Sequence, residues 1–261
     1  MLAPVVLMLA ASRAHCMSCY HHYEHMVFIN SPVDADLLRP LVHPDLTLDL
    51  FGNTAWVSVL VSQLPETVID GIPVPLIKPY EMQLRTYVTS TQTDGTTLSG
   101  VWLFDLFLSD GVTSTGAATL FEGAIRCETG NVHVSLENGT YSSTATKLPV
   151  TSGTTAGFGL QLDLTDTIVT DTAFFTDRFN WFGACPLSGA LTHSPLRDSS
   201  YVNQPLGVQR VQLSTDLLAA LGVGSLLSNS LCDTAPYACF FAGASDATFY
   251  SPVSTAEDSF V

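Results

Sequence analysis

The chain has 261 residues, 46% hydrophobic and only 13% charged, enough apolar surface for a sizeable core, which excludes global disorder. Twenty-four acidic side chains against nine basic ones give a net charge of −15, and no basic cluster occurs. That balance argues against phosphate-driven nucleic-acid binding and against attachment to an anionic membrane surface.

Residues 1–14, MLAPVVLMLAASRA, form an apolar run too short to span a bilayer. Ser12 and Ala14 have the spacing of a signal-peptide cleavage site, but a basic start is lacking; the competing reading is a helix or strand docked on the domain. The first reading implies the secretory route, the second a cytoplasmic protein. Next, Cys16 and Cys19 stand near His15, His21, His22 and His25. Thiolate and imidazole are ligands zinc takes, yet the spacing is not that of a zinc finger and no second Cys-x-x-Cys follows. A strand there would also point alternate residues away from one another. No metal and no cofactor is expected.

A strand over 22–30 leads to Ser31-Pro32-Val33-Asp34, which reads as a helix start with Ser31 as cap, then a short helix to Val42. Strands follow over 46–52 and 54–64, and the proline-rich segment 69–80 is a loop. Residues 81–108, EMQLRTYVTSTQTDGTTLSGVWLFDLFL, then read as two strands joined by a polar turn. Alternation puts Glu81, Gln83, Arg85 and Tyr87 on one face of the first strand. The return strand is apolar on both faces except for Asp105, the pattern of a strand buried on both sides.

Beyond it the pattern predicts a helix over 113–121, strands over 125–127 and 132–136, and a hairpin turn at Asn138-Gly139, which with Thr140 is also a glycosylation sequon. Strands over 141–145 and 157–164, a helix over 172–177 and a strand over 178–182 containing Arg178 and Trp181 come next. A Ser/Pro-rich loop then carries His193 and Tyr201. A strand over 206–213, a helix over 217–221 capped at Ser214-Thr215-Asp216, and a last strand in two pieces, 239–241 and 248–251, complete the pattern. No repeat or linker interrupts it. One domain over 20–253 is expected, between an N-terminal segment (1–19) and an acidic tail (254–261). The six cysteines permit disulfides, but a chain of this size does not need them, so buried thiols are the expectation.

The segments FINSPVDADLLRPLVHPDLTLDLFGNTAWVSVL at 28–60, EMQLRTYV at 81–88, GVWLFDL at 100–106 and FFTDRFNWF at 174–182, with Tyr250-Ser251-Pro252, resemble the acetoacetate-decarboxylase-like superfamily, and within it the YqjF-like branch. The resemblance covers roughly residues 20–253. It implies a mainly β fold: a closed, cone-like antiparallel β-barrel with a few peripheral helices and a ligand pocket inside. In the decarboxylase itself, a lysine of lowered pKa forms a Schiff base with the keto acid. The corresponding region here, 119–126, has no lysine, and the chain's only two, Lys78 and Lys147, match neither position. A Leu-Pro-Tyr motif common in the YqjF-like branch is also missing.

The resemblance therefore implies a pocket without Schiff-base chemistry. Arg85 is the candidate carboxylate clamp, with Glu81 or Asp105 as alternative ion-pair partners inside the fold. Glu81 and Tyr87 are candidate catalytic acid–base groups. Trp102, Asp105, Glu122 and Arg126 are further candidate substrate contacts, although Glu122 and Arg126 also fit an ordinary ion pair across one helical turn. Two readings follow: a lyase- or isomerase-type enzyme acting on a small organic acid or carbonyl compound, or a binding or scaffold protein that has lost the catalytic lysine. A small organic ligand is the expected partner, with no nucleic acid and no membrane span.

Overall fold

The structure, a computed structural model, describes residues 18–73, 78–121, 123–150, 153–178, 180–201, 204–224, 232, 235–250 and 253–254. The segment 1–14, Cys16, Glu122 and the tail after Ser254 lie outside the described residues. β-Branched and aromatic runs form long strands here, because such side chains pack well on a pleated surface. In chain order these begin with β1 (Ser18–Val33), α1 (Ala35–Leu38) with a following 3₁₀ turn (Arg39–Leu41), β2 (Thr47–Leu48), β3 (Ala55–Ile69) and β4 (Ile72–Pro73). The hairpin β5 (Tyr80–Thr91) and β6 (Thr97–Leu108) comes next, then α2 (Gly111–Leu120), β7 (Cys127–Thr129), β8 (His133–Glu137), β9 (Thr140–Pro149) and β10 (Thr155–Ile168). The chain continues through α3 (Ala173–Thr176), β11 (Asn180–Ala184), β12 (Leu191–Tyr201), β13 (Leu206–Thr215) and α4 (Leu217–Leu221). A 3₁₀ turn (Pro236–Ala238), β14 (Cys239–Tyr250) and β15 (Val253–Ser254) end it.

Seven strands close on themselves in the order β12–β11–β6–β5–β3–β1–β14, with β14 pairing back to β12. The ring is antiparallel except where β11 meets β6. A second set, β13–β10–β9–β8, branches from the start of β14, where Leu206 and Gly207 pair with Phe241 and Phe240. Leu148 of β9 reaches Gly130 beside Phe107, and Arg126 donates to the Pro149 carbonyl, so this second set covers the outer side of the β5–β6 hairpin. Covering both sides accounts for the doubly apolar β6.

Several sequence expectations change. The cap of α1 is Asp34, whose carboxylate accepts from the Asp36 amide at 2.8 Å, while Ser31 stays in β1 and is buried. The stretch containing His193 and Tyr201 is strand β12, not a loop, because its backbone groups pair with β11 and β14 and close the ring. The last strand is one piece. Arg178 precedes β11 and does not belong to it. Cys232 and Cys239 form a disulfide across the turn 236–238, whereas Cys19 and Cys127 are free thiols.

Two local devices shape the interior. At the predicted turn, Asn138 and Gly139 both take positive φ (51° and 80°), the geometry of a tight two-residue hairpin. In β1, a bulge around Glu24 and His25 (φ 53°) shifts the register against both neighbours. A bulge moves the side-chain alternation by one residue. Odd residues therefore face the ring interior below it (Cys19, His21, Tyr23) and even ones above it (Met26, Phe28, Asn30).

The 123–125 segment packs on β11 through a close backbone approach at Gly183. A Cβ there would collide with the Ala124 carbonyl oxygen, which accepts from the Ala184 amide at 3.2 Å. Gly183→Ala is expected to lower stability by about 1–3 kcal/mol in a urea titration. An unchanged midpoint would show that the 123–125 loop yields freely.

Candidate functional site

The inward face of β5 carries a buried polar line. Glu81, Gln83, Arg85 and Tyr87 are all nearly inaccessible, as the alternation predicts. Cross-strand neighbours share a face, so β3 adds Ser62, Leu60 and Ser58 opposite Glu81, Gln83 and Arg85. Gln83 Nε2 donates to Glu81 Oε1 at 2.5 Å, and Arg85 Nη1 donates to Gln83 Oε1 at 3.0 Å. Arg85 Nη2 donates to the Phe175 carbonyl at 3.4 Å. The guanidinium lies 5.2 Å from the Phe28 ring and 5.9 Å from that of Tyr87. The Tyr87 hydroxyl donates to Asn30 Oδ1 at 2.7 Å, and Asn30 Nδ2 donates to the Tyr237 carbonyl at 3.2 Å.

Arg85 is the outlier in this line. Neither Glu81 nor Asp105 pairs with it; among the described residues no carboxylate is in ion-pair contact with it, and its Nε is buried without an acceptor. A second guanidinium approaches from just after α3, but that one is neutralised: Arg178 Nη1 meets Asp49 Oδ2 at 2.6 Å, and its Cζ sits 4.1 Å over the Phe174 ring. Between the two lies a cavity of about 40 Å³, bordered by Gln83, Arg85, Thr176, Arg178, Tyr23 and Ser245 on its polar side. Met26, Leu60, Trp181 and Phe249 supply apolar wall. An aromatic cap of Phe51, Trp56, Phe174, Phe175 and Tyr237 covers Tyr87 at one end.

Burial governs the protonation of this interior. It pushes the Glu81 carboxyl up to about 7, against the opposing pull of the Gln83 hydrogen bond and the Arg85 charge. It raises the Tyr87 phenol as well, with Arg85 pulling the other way. Glu81 does not border the cavity; its link to it runs through Gln83.

The remaining sequence candidates lie elsewhere. Trp102 is paired with Thr86 and Asp105 with Leu84, so both are on the outer face of the hairpin. Asp105 is inaccessible and pairs with Arg126 at 2.5 Å, while Arg126 also meets Glu128 at 3.0 Å. The expected Arg126 partner, Glu122, is outside the described residues. Trp102 is half-buried, its ring centroid 6.3 Å from that of His43. Glu81, Arg85 and Tyr87 come together; Trp102, Asp105 and Arg126 do not join them.

Sequence reasoning missed Asn30, Phe175 and Tyr237, and placed Arg178 in a strand without a role at the site. An Asn ending the apolar run 26–30 was the available signal, since a buried amide needs partners. It also missed the lower interior. There Cys19 Sγ lies 3.3 Å from His21 Nε2, and His21 Nδ1 lies 3.0 Å from Thr67 Oγ1. Burial lowers His21 to about 4 and lifts Cys19 to about 12, so both are neutral at neutral pH. A buried thiol of that kind is unreactive. His22 points the other way, to Asp246 at 2.8 Å.

Residues 20–232, which include most of this interior but not Tyr237, Ser245 or Phe249, match the family model DUF2071, an uncharacterized conserved protein (COG2071). The chain belongs to the DUF2071 family. Within 98 residues it is 34% identical to the uncharacterized protein YqjF of Bacillus subtilis (strain 168); that match spans 37% of this chain and 38% of the Bacillus protein. Solved structures place this DUF2071 chain in the acetoacetate-decarboxylase-like fold. It superposes on acetoacetate decarboxylase from Legionella pneumophila with a TM-score of 0.60 and 13% identity, covering 92% of this chain and 88% of that one. An acetoacetate decarboxylase-like enzyme from Sphingomonas wittichii RW1 gives 0.54 and 11%, covering 91% and 90%. The enduracididine biosynthesis enzyme MppR, complexed with pyruvate, gives 0.50 and 12%, covering 94% and 92%. At such identities the likeness concerns the fold alone. No helix among the described residues is long and apolar enough to cross a membrane.

Proposed function

We propose that this DUF2071 protein binds a small organic acid or carbonyl compound inside the ring and acts on it as a lyase- or isomerase-type enzyme without a Schiff base. The observation that carries the proposal is Arg85, a guanidinium buried in the ring with no carboxylate in ion-pair contact among the described residues. An uncompensated charge in such a place is costly, and a ligand carboxylate in the adjoining cavity would supply the missing counter-charge through paired N–H donors. Glu81, poised between its two protonation states near neutral pH, is the acid–base group one hydrogen bond away. Tyr87 contributes a neutral phenol held by Asn30. Lysine takes no part: none borders the cavity among the described residues, and Lys78 is exposed. That a fold relative, MppR, is complexed with pyruvate supports a small oxo acid as the first ligand to try.

One observation favours the binding or scaffold reading instead. The cavity, about 40 Å³, is far smaller than the roughly 300–1,000 Å³ of drug-sized ligand pockets. Thermal-shift titration with pyruvate and other small acids, on wild type and Arg85→Met together, separates the readings. Wild type is expected to gain about 2.7 kcal/mol at a hundredfold excess over Kd, and the variant to bind at least roughly tenfold more weakly. If wild type does not respond, or the variant responds equally, the scaffold reading leads.

A further inference from the structure

We infer that Gln83 is a positioning residue that couples the charge at Arg85 to the protonation of Glu81, so that an anion bound at Arg85 brings a proton with it. This coupling, which rests on the anion site proposed above, makes ligand uptake depend on pH. Along β5 the three side chains form one hydrogen-bonded chain whose donors all point the same way. Arg85 Nη1 donates to Gln83 Oε1 at 3.0 Å, and Gln83 Nε2 donates to Glu81 Oε1 at 2.5 Å. Chemistry fixes that direction. A guanidinium has no acceptor, so the amide must turn its oxygen to Arg85 and its nitrogen to Glu81. Glu81 then faces a donor, which favours the carboxylate.

An anion on Arg85 removes the reason for that orientation. Once Nη1 donates to the anion, Gln83, which itself borders the cavity, is free to turn its amide over. Nε2 then donates to the anion, and Oε1 accepts from the O–H of a protonated Glu81. The reversed chain again pairs each of these polar groups, the condition a buried network must meet. An ionised Glu81 has no place in it, because a carboxylate facing Gln83 Oε1 would set two acceptors together. The proton passes from solvent to a Glu81 oxygen, and no other covalent bond changes.

The surroundings of Glu81 leave this role to Gln83 and Arg85. Ser62 on β3 and Leu108 on β6 stand opposite Glu81 and carry no charge. The thiols of Cys19 on β1 and Cys127 on β7 feel its charge, but burial pushes both up to about 12, so both are neutral. His21, bonded to Cys19, is neutral as well. Burial raises the Glu81 carboxyl to about 7, and Arg85 is the cation that opposes the rise. Cancelling that cation with an anion acts in the same direction as the reversed amide, toward the neutral acid.

Infrared titration of the Glu81 carboxyl in the full chain, with Glu81→Gln supplying the difference spectrum, tests the coupling without any ligand. Arg85→Met cancels the charge as an anion would, and is expected to raise the Glu81 midpoint by about one pH unit or more. On a Gln83→Met background the same change should raise it by less than roughly half as much. Equal shifts on the two backgrounds would mean that the coupling bypasses Gln83, and overturn the inference. No shift on either background overturns it too. Pyruvate calorimetry in buffers of different ionisation enthalpy adds an arm that rests on the proposed function. Wild type is expected to take up about one proton per pyruvate at about pH 8 and almost none at about pH 5. Its affinity should fall roughly tenfold over the pH unit above the Glu81 midpoint. Glu81→Gln should bind with neither proton uptake nor pH dependence. Binding by wild type at about pH 8 without proton uptake overturns the inference. Pyruvate that binds at neither pH counts against the proposed function and leaves the infrared result to decide the coupling.

Discussion

Arg126→Met is expected to destabilise the fold by about 3–5 kcal/mol, measured by urea titration at neutral pH. The cause is Asp105, a fully inaccessible carboxylate on the outer face of the hairpin whose ion pair is with Arg126. Removing the guanidinium takes away a cation that offsets this charge between the ring and the covering strands β8 and β9. The Pro149 carbonyl loses a donor in the same step. Desolvation of the carboxylate outweighs the lost attraction, so the double variant Arg126→Met/Asp105→Leu should recover most of the loss, since no buried charge is then left behind. A double variant as unstable as the single one would place the effect in lost packing of the arginine stem instead.

Glu81 is expected to make the protein less stable as pH rises. Its carboxyl is raised from 4.5 to about 7 in the fold because burial disfavours the charged form. Below the unfolded value both states are protonated, and the favourable burial of the neutral acid is fully present. Between the two values the unfolded chain gives up its proton first, so the native state binds more protons and the slope of stability against pH is negative. Above the folded value the loss is complete, on the order of 3 kcal/mol. Glu81→Gln keeps a neutral group of the same shape beside Gln83. Its contribution should be independent of pH, making the variant more stable than wild type at about pH 8 and close to it at about pH 4. Equal slopes in the two proteins between these limits would mean that Glu81 is ionised throughout and held by its surroundings.

These experiments address different layers of the molecule. Arg126 and Asp105 fasten the second set of strands to the ring, whereas Glu81 and Arg85 lie inside it. The sequence candidates therefore divide by the face of one hairpin. Glu81, Arg85 and Tyr87 were legible as a set because strand side chains alternate with a period of two. Trp102 and Asp105 could not be sorted the same way. β6 is apolar on both faces, and an irregularity in its pairing with β5 between Leu84 and Arg85 shifts the register. Alternation counted along β6 alone does not tell which residues lie opposite Arg85.

The fold class was legible for a related reason. Many β-branched runs, few helical ones and turn pairs such as Asn138-Gly139 leave little room for anything but a mainly β structure. The stretch carrying His193 was misread because Ser and Pro suggest a loop; one pairing partner, β11, is near in the chain, but the other, β14, lies far along it. The Cys232–Cys239 bond was also missed, since chain length argues about the need for a disulfide and not about proximity.

From the sequence alone came the mainly β character, the shared face of Glu81, Gln83, Arg85 and Tyr87, and the scarcity of lysine, with only Lys78 and Lys147. All three are local properties of the chain, set by side-chain type and by the geometry of an extended backbone. Tertiary structure alone decided who meets whom on that face. Tyr87 finds Asn30 57 residues away, Asn30 finds Tyr237 207 residues away, and Arg178 finds Asp49 129 residues away. Ring closure makes those meetings, and among the described residues it brings no carboxylate into ion-pair contact with Arg85. No local pattern encodes either, because both depend on the simultaneous pairing of strands from both ends of the chain.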